Sequence, residues 1–182
     1  MTEYKNVMLI SPDEVKSQGD INYNVDDSFI GSSIRVSQQI YLRDIIGDAL
    51  LEKLQVLVYN AIEELPDNID DNENIAYKTL LDDYIVPFLT YKVSYEICTR
   101  ISLKIRNMGI IKNYDTNQQQ AELADVLYLQ QTNDTYANDA ANRMTKFICS
   151  EKAAYPESDF VCGCDESPKY ARTGLWLGPS RK

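Results

Sequence analysis

The stretch "YLRDIIGDALLEKLQ" (Tyr41–Gln55) decides the fold, because it turns a corner. Upstream of it, Ile30, Ile34, Tyr41 and Ile45 recur near multiples of 3.6 residues, as on one face of a helix. Asp26, Asp27 or Ser28 is placed to cap that helix. Gly47 then interrupts, and Asp48 beside it reads as a new start. Beyond it a cleaner apolar stripe runs through Leu50/Leu51, Leu54, Leu57/Val58, Ala61/Ile62 and Leu65. The spacing predicts two helices meeting at a sharp bend, with Gly47 supplying a positive φ that other residues avoid.

Working outward, Pro66 opens a polar acidic loop, "PDNIDDNEN". The helical period resumes at Ile75 and lasts to about Asn107, through Leu80/Leu81, Tyr84/Ile85, Phe88/Leu89, Val93, Ile97, Ile101 and Ile105. Pro87 lies inside it and has no N–H to give residue 83, so a kink is expected there, with the pattern continuing on both sides. Gly109 suits a left-handed helix stop, and "IIKNYD" after it suits a short extended crossing. A further helix starts near Asp115 or Thr116 and carries apolar positions over 121–129, then at Ala137, Ala140/Ala141, Met144 and Phe147/Ile148. Between these, "QQTNDTY" is polar around the whole turn, so either one helix crosses solvent or two helices meet. Residues 1–27 read as an irregular lead-in in which Ser11-Pro12 begins a short helical turn that Gly19 ends. Pro156 stops helical structure, and the residues beyond it are punctuated by Gly and Pro.

The expected fold is therefore all-α, a helical bundle of about four to five helices with an extended C-terminal tail. It divides into a lead-in (1–27), a helical domain (28–155) and a tail (156–182). The length suits one domain able to bury its own core. Net charge is −10, from 28 acids against 18 bases, which argues against a surface built to clamp nucleic acid or an anionic membrane. No apolar run reaches the length of a membrane span, and the first residues lack a signal-peptide pattern, so the expected setting is a reducing cytoplasm.

The chain has no histidine. That removes the commonest general base, the imidazole metal ligand and the histidine-activated nucleophiles. No enzyme activity, cofactor or metal is expected. Cys162 and Cys164 form a single C-x-C in the tail, with no second short-spaced pair to complete a zinc site. Cys98 and Cys149 fall on helices and read as small buried hydrophobes, while Phe160, Cys162 and Cys164 alternate as on one face of an extended strand that could pair with a partner's edge. The loop Asp67–Glu73 has the composition of a calcium loop without its glycine or its ligand spacing, and reads as solvated. Asp82 and Asp83, adjacent on a helix, diverge by about 100° and cannot act as one carboxylate pair.

Thirteen tyrosines are more telling. Tyr77, Tyr84, Tyr91 and Tyr95 line one helix as a seam of large amphipathic side chains, suited either to a core stripe or to an interface. The candidate partner-binding residues are Tyr84, Tyr91 and Tyr95 in that seam, and Phe160, Tyr170 and Trp176 in the tail. The tail holds four acids and four bases from residue 157 on, so the whole negative excess belongs to residues 1–156.

The stretch "LISPDEV", the corner "YLRDIIGDALLEKL", the helix "LLDDYIVPFLTYKVSYE" and its end "RNMGI" together resemble the head-to-tail connector proteins of tailed bacteriophages, most closely those of crAss-like phages. These are the adaptor, or neck-ring, proteins that stack beneath the portal. The likeness covers roughly residues 7–115, more loosely to 150, and is a pattern of packing and turns without a catalytic motif. It implies a structural virion protein, an all-α protomer that forms a homo-oligomeric ring, commonly a dodecamer of twelve copies, around the DNA channel. Its implied partners are the portal protein and adjacent neck and tail proteins, with only non-specific proximity to genomic DNA and no membrane. Its implied place is the virion neck, after synthesis in the host cytoplasm. In such adaptors a C-terminal segment docks on the portal or an adjoining ring, and residues 157–182 hold that position. The competing expectation is a phage-encoded, non-enzymatic helical module that binds a host or phage partner.

Overall fold

The computed structural model describes residues 3–106, 109–112 and 123–158. Among these, seven α-helical elements carry the fold: α1 (Pro12–Gln18), α2 (Asp27–Val36), α3 (Arg43–Ile46), α4 (Asp48–Ile62), α5 (Ile75–Leu80), α6 (Val86–Ser102) and α7 (Leu123–Ser150). Single π-helical stretches, Ser37–Leu42 and Leu81–Ile85, join α2 to α3 and α5 to α6 without a break. The molecule is thus a bundle of a few long rods, all-α as expected, plus one small hairpin. α6 lies at its centre, packed along α7 and crossed by α2 and α1.

The corner is where the sequence places it. Gly47 has φ 87° and ψ 165°, closes α3 by donating its N–H to the Arg43 carbonyl, and precedes the first residue of α4. That backbone region is closed to residues with a Cβ. The Arg43 guanidinium spans the corner to the Asp48 carboxylate, one of its bonds measuring 2.9 Å.

The π stretch before the corner explains which residues point inward. The Arg43 N–H bonds to the Gln38 carbonyl, five residues back. The extra residue advances the buried face by one position. Ile30, Ile34 and Ile45 are buried as the 3.6 period requires; Leu42 and Ile46 are fully buried as well, whereas Tyr41 is only half-buried. The same device accommodates Pro87. The Val86 N–H reaches the Leu81 carbonyl, again five residues back, so the wider turn sits directly ahead of the residue that cannot donate. The helix continues through the proline, as its pattern on both sides implied.

Residues 3–27 are not irregular. Ser11 caps α1 in a reciprocal capping box with Glu14, and Gly19 ends it. Gly19 also lies close to α6, since a Cβ there would meet the Val15 carbonyl oxygen at 2.8 Å and Thr90 Cγ2 at 3.1 Å. Leu9, Ile10 and Val15 belong to the core. Gln38 fixes this segment: its buried amide accepts from the Leu9 N–H at 2.9 Å and donates to the Val7 carbonyl at 3.1 Å, as a neighbouring strand would. No hydrophobic period announces such a contact, which is why the segment reads as a lead-in.

Three boundaries also shift. The helix expected to reach Asn107 ends at Ser102, and β1 (Leu103–Arg106) pairs antiparallel with β2 (Gly109–Lys112), Arg106 opposite Gly109. Leu103 and Ile105 satisfy both a helical and an alternating period, so the pattern could not tell the two apart. The apolar stripe of α4 stops early, leaving Ile62 and Leu65 exposed, because the helix ends at Ile62 and Glu64 takes a positive φ of 53°. The body extends past residue 155: Tyr155 is buried and donates its hydroxyl to the Ala76 carbonyl at 2.8 Å, while Ser158 is buried too. The expected tail beyond Ser158 lies outside the described residues.

Candidate functional site

The tyrosine seam is filled from within the chain. Tyr84 stacks on Phe147 of α7 with ring centroids 4.2 Å apart and planes 11° from parallel. Tyr91 meets Tyr136 of α7 at 5.3 Å, and Tyr77 meets Tyr155 edge-on at 5.7 Å. Each such pair contributes about 0.5–1.5 kcal/mol beyond its buried area. Of the two readings of the seam, the core stripe is the one observed for Tyr84 and Tyr91. They pack on α7, Tyr84 from the stretch Leu81–Ile85 and Tyr91 from α6, and both remain half-buried.

Tyr95 has a different role. Lys92 is buried with its ammonium 4.2 Å from the ring centre of Tyr41 and 4.4 Å from that of Tyr95, and it pairs with Asp134 at 2.6 Å. Tyr41 donates its hydroxyl to Glu96 at 2.7 Å. Burial first, then the bond to Glu96, pushes the Tyr41 phenol well above its ordinary range. Two aromatic faces and one carboxylate replace the water that the cation loses. This is where "QQTNDTY" goes: α7 is one unbroken helix, Asn133 is buried, Asp134 meets Lys92, and Tyr136 meets Tyr91. Of the two expectations, the single helix is the one observed: the turn keeps Gln131, Thr135 and Tyr136 exposed and sets Asn133 and Asp134 on its inner side. Through Asp134 its inner side meets a buried cation that the sequence pattern did not reveal, though a lone lysine within the run 86–97 is the signal that could have found it.

Beside this box lies a cavity of about 230 Å³, lined by Ile21, Val25, Ser94, Ile97, Cys98 and Asn133 among others. The Asn133 side-chain nitrogen is buried there with no hydrogen-bond partner among the described residues. Burial raises the pKa of the Cys98 thiol. Among the described residues no cluster of three or more metal-ligating side chains occurs, and no helix is long and apolar enough to cross a membrane.

The acidic loop is occupied by its own chain. Asn74 donates to Asp67 and to the Asn68 carbonyl, both at 2.9 Å, the Asn68 N–H bonds Asp71 at 2.8 Å, and Lys78 bridges to Asp70 at 2.6 Å. The half-buried cysteines depart from expectation, since Cys149 is disulfide-bonded.

Exposed apolar side chains remain on the N-terminal half of α7, at Leu127, Tyr128, Leu129 and Tyr136. These were not singled out by sequence, where an apolar position counts as core until its partner helix is known. Phe160, Tyr170 and Trp176 lie outside the described residues.

No curated protein and no solved structure matches the chain. One family model does, DUF6712, a family of unknown function, over residues 42–168. The match begins just before the Gly47 corner, takes in the whole α6–α7 seam and covers Cys149, Cys162 and Cys164, well over half of the chain in all; the chain belongs to this family.

Proposed function

We propose that the protein is a structural subunit of a ring in the head-to-tail connector of a tailed phage, joining portal to tail around the DNA channel. The observation that supports this most is the rigid corner at Gly47, followed by a helix that runs through Pro87. These are the two features on which the likeness to connector proteins rests, and both are built into the backbone rather than into a binding pocket. The exposed apolar residues at the start of α7 offer a neighbour a helix face, as a ring contact requires. The acidic balance suits a channel through which DNA slides, since a basic lumen would hold the phosphates.

Cryo-electron microscopy of the particle tests it. Symmetric copies between capsid and tail, twelve by the likeness, are the expected result. A chain absent from particles and recovered only with a host protein from infected cells would replace the ring by the non-enzymatic binding module.

A further inference from the structure

The cavity of about 230 Å³ lies where the turn between α1 and α2 meets α6 and α7. The deep part of its lining includes Ile97 and Asn133, 3% and 1% exposed, with Ile21 as a further apolar wall. Asp20 and Leu129 are exposed and mark its mouth. An apolar cavity of about 150 Å³ is enough to hold a benzene ring. This one has room for such a ring and a short substituent.

The polar groups around it narrow what it can hold. The Asn133 side-chain nitrogen is buried without a partner among the described residues, although buried amides are nearly always hydrogen-bonded. The cavity that Asn133 borders is where an acceptor can approach it, after at most a turn of the amide about its last torsion. Ser94 donates its hydroxyl to the Thr90 carbonyl at 2.9 Å, so what it has left to offer is lone pairs. Burial raises the pKa of the Cys98 thiol and the Asp20 charge raises it further, so the field of Asp20 reaches the cavity wall. No lysine or arginine is among the described residues that line it. An anion would enter against Asp20 with no cation to meet it. A single water would satisfy Asn133 but not the apolar walls, whereas an apolar body carrying a carbonyl matches both.

We propose that this cavity binds a small uncharged molecule with an apolar body and one carbonyl oxygen, which accepts a hydrogen bond from Asn133. The ligand touches the α1–α2 turn, α6 and α7 at once, and so holds the N-terminal segment on the α6–α7 pair. Because it binds the folded chain, it raises the thermal midpoint as its concentration rises. The site stands apart from the ring assignment, because every residue that lines it belongs to one chain.

The test uses the full chain and three probes of nearly one shape. They are acetophenone, ethylbenzene, which has a methylene in place of the carbonyl, and benzoate, which carries a negative charge. Labelling of Cys98 by N-ethylmaleimide is read from the mass of the tryptic peptide 93–100, with labelling of free glutathione as the control for the reagent. Acetophenone at several times its dissociation constant slows labelling of Cys98 by about 5-fold or more and leaves that of glutathione unchanged, while benzoate at the same concentration protects far less. The concentration dependence of protection gives the dissociation constants. Asn133→Leu, close to Asn in shape, weakens acetophenone by about 5-fold or more and leaves ethylbenzene bound as before or tighter. No protection by acetophenone, equal protection by benzoate, or equal weakening of acetophenone and ethylbenzene in N133L overturns the proposal. The first two of these outcomes need only the wild-type protein.

Discussion

Two residues carry more of this structure than their size suggests. Gly47 sits at φ 87° and ψ 165°, a region that costs other residues about 1–3 kcal/mol. Gly47→Val should lower unfolding free energy by at least about 1 kcal/mol in urea titration, and an unchanged midpoint would mean that the corner relaxes into a continuous helix. Lys92 is the second. Its side chain is 10% exposed, whereas that of its partner Asp134 is 37% exposed. The two halves of the pair are therefore not equivalent. Asp134→Ala removes the carboxylate paired with this buried ammonium and should cost about 1–3 kcal/mol. Lys92→Met keeps the aliphatic stem between Tyr41 and Tyr95 and leaves Asp134 open to water, at about 1 kcal/mol or less. Urea denaturation of the two variants checks the asymmetry, and the reverse order would show that the stem rather than the charge holds the box.

At the level of elements, the corner, the passage through Pro87 and the Ser11 and Gly19 boundaries of α1 were legible, because turn chemistry and the helical period are local. What was not legible depends on partners distant in sequence. Gln38 reads as a surface residue until Val7 and Leu9 lie against it, and "QQTNDTY" reads as solvated until Lys92 is known to face it. The tyrosine seam could be seen, but its occupant could not, since Phe147 and Tyr136 show their role only once α7 is folded onto α6. The end of the body was misjudged for the same reason. Tyr77 donates to Glu157 at 2.8 Å and Tyr155 donates to Ala76 at 2.8 Å, contacts spanning nearly eighty residues. These two tyrosines predict an alkaline transition. Burial above all, helped at Tyr77 by the Glu157 bond, raises both from 10.0 to about 12. A raised folded pKa means that the unfolded chain loses its protons first, so stability is full below pH 10 and drains away between 10 and about 12. Tyr77→Phe with Tyr155→Phe should lower stability at neutral pH by about 1–2 kcal/mol. It should also flatten the fall above pH 10, as followed by circular dichroism. A slope equal to the wild type's would place the titrating groups elsewhere.

For the whole molecule, the question is where the body ends and the assembling part begins. The negative excess lies in residues 1–156, the core closes over Tyr155, and the last described contact is that of Lys152 with the Ser158 carbonyl. A chain ended after Ser158 keeps every one of these contacts, so under reducing conditions its helical signal and thermal midpoint should match those of the full chain. A chain ended after Tyr155 loses the Glu157 acceptor of Tyr77 and the Ser158 acceptor of Lys152, and should be less stable by about 1–2 kcal/mol. If residues 159–182 dock on a neighbour in the particle, the chain ended after Ser158 folds but is not incorporated when it replaces the full chain during phage assembly. Mass spectrometry of purified particles reads that outcome directly. Normal incorporation would move the assembly contacts onto the helical body, with the exposed start of α7 the first surface to vary, whereas loss of helical signal would mean that the final segment completes the core.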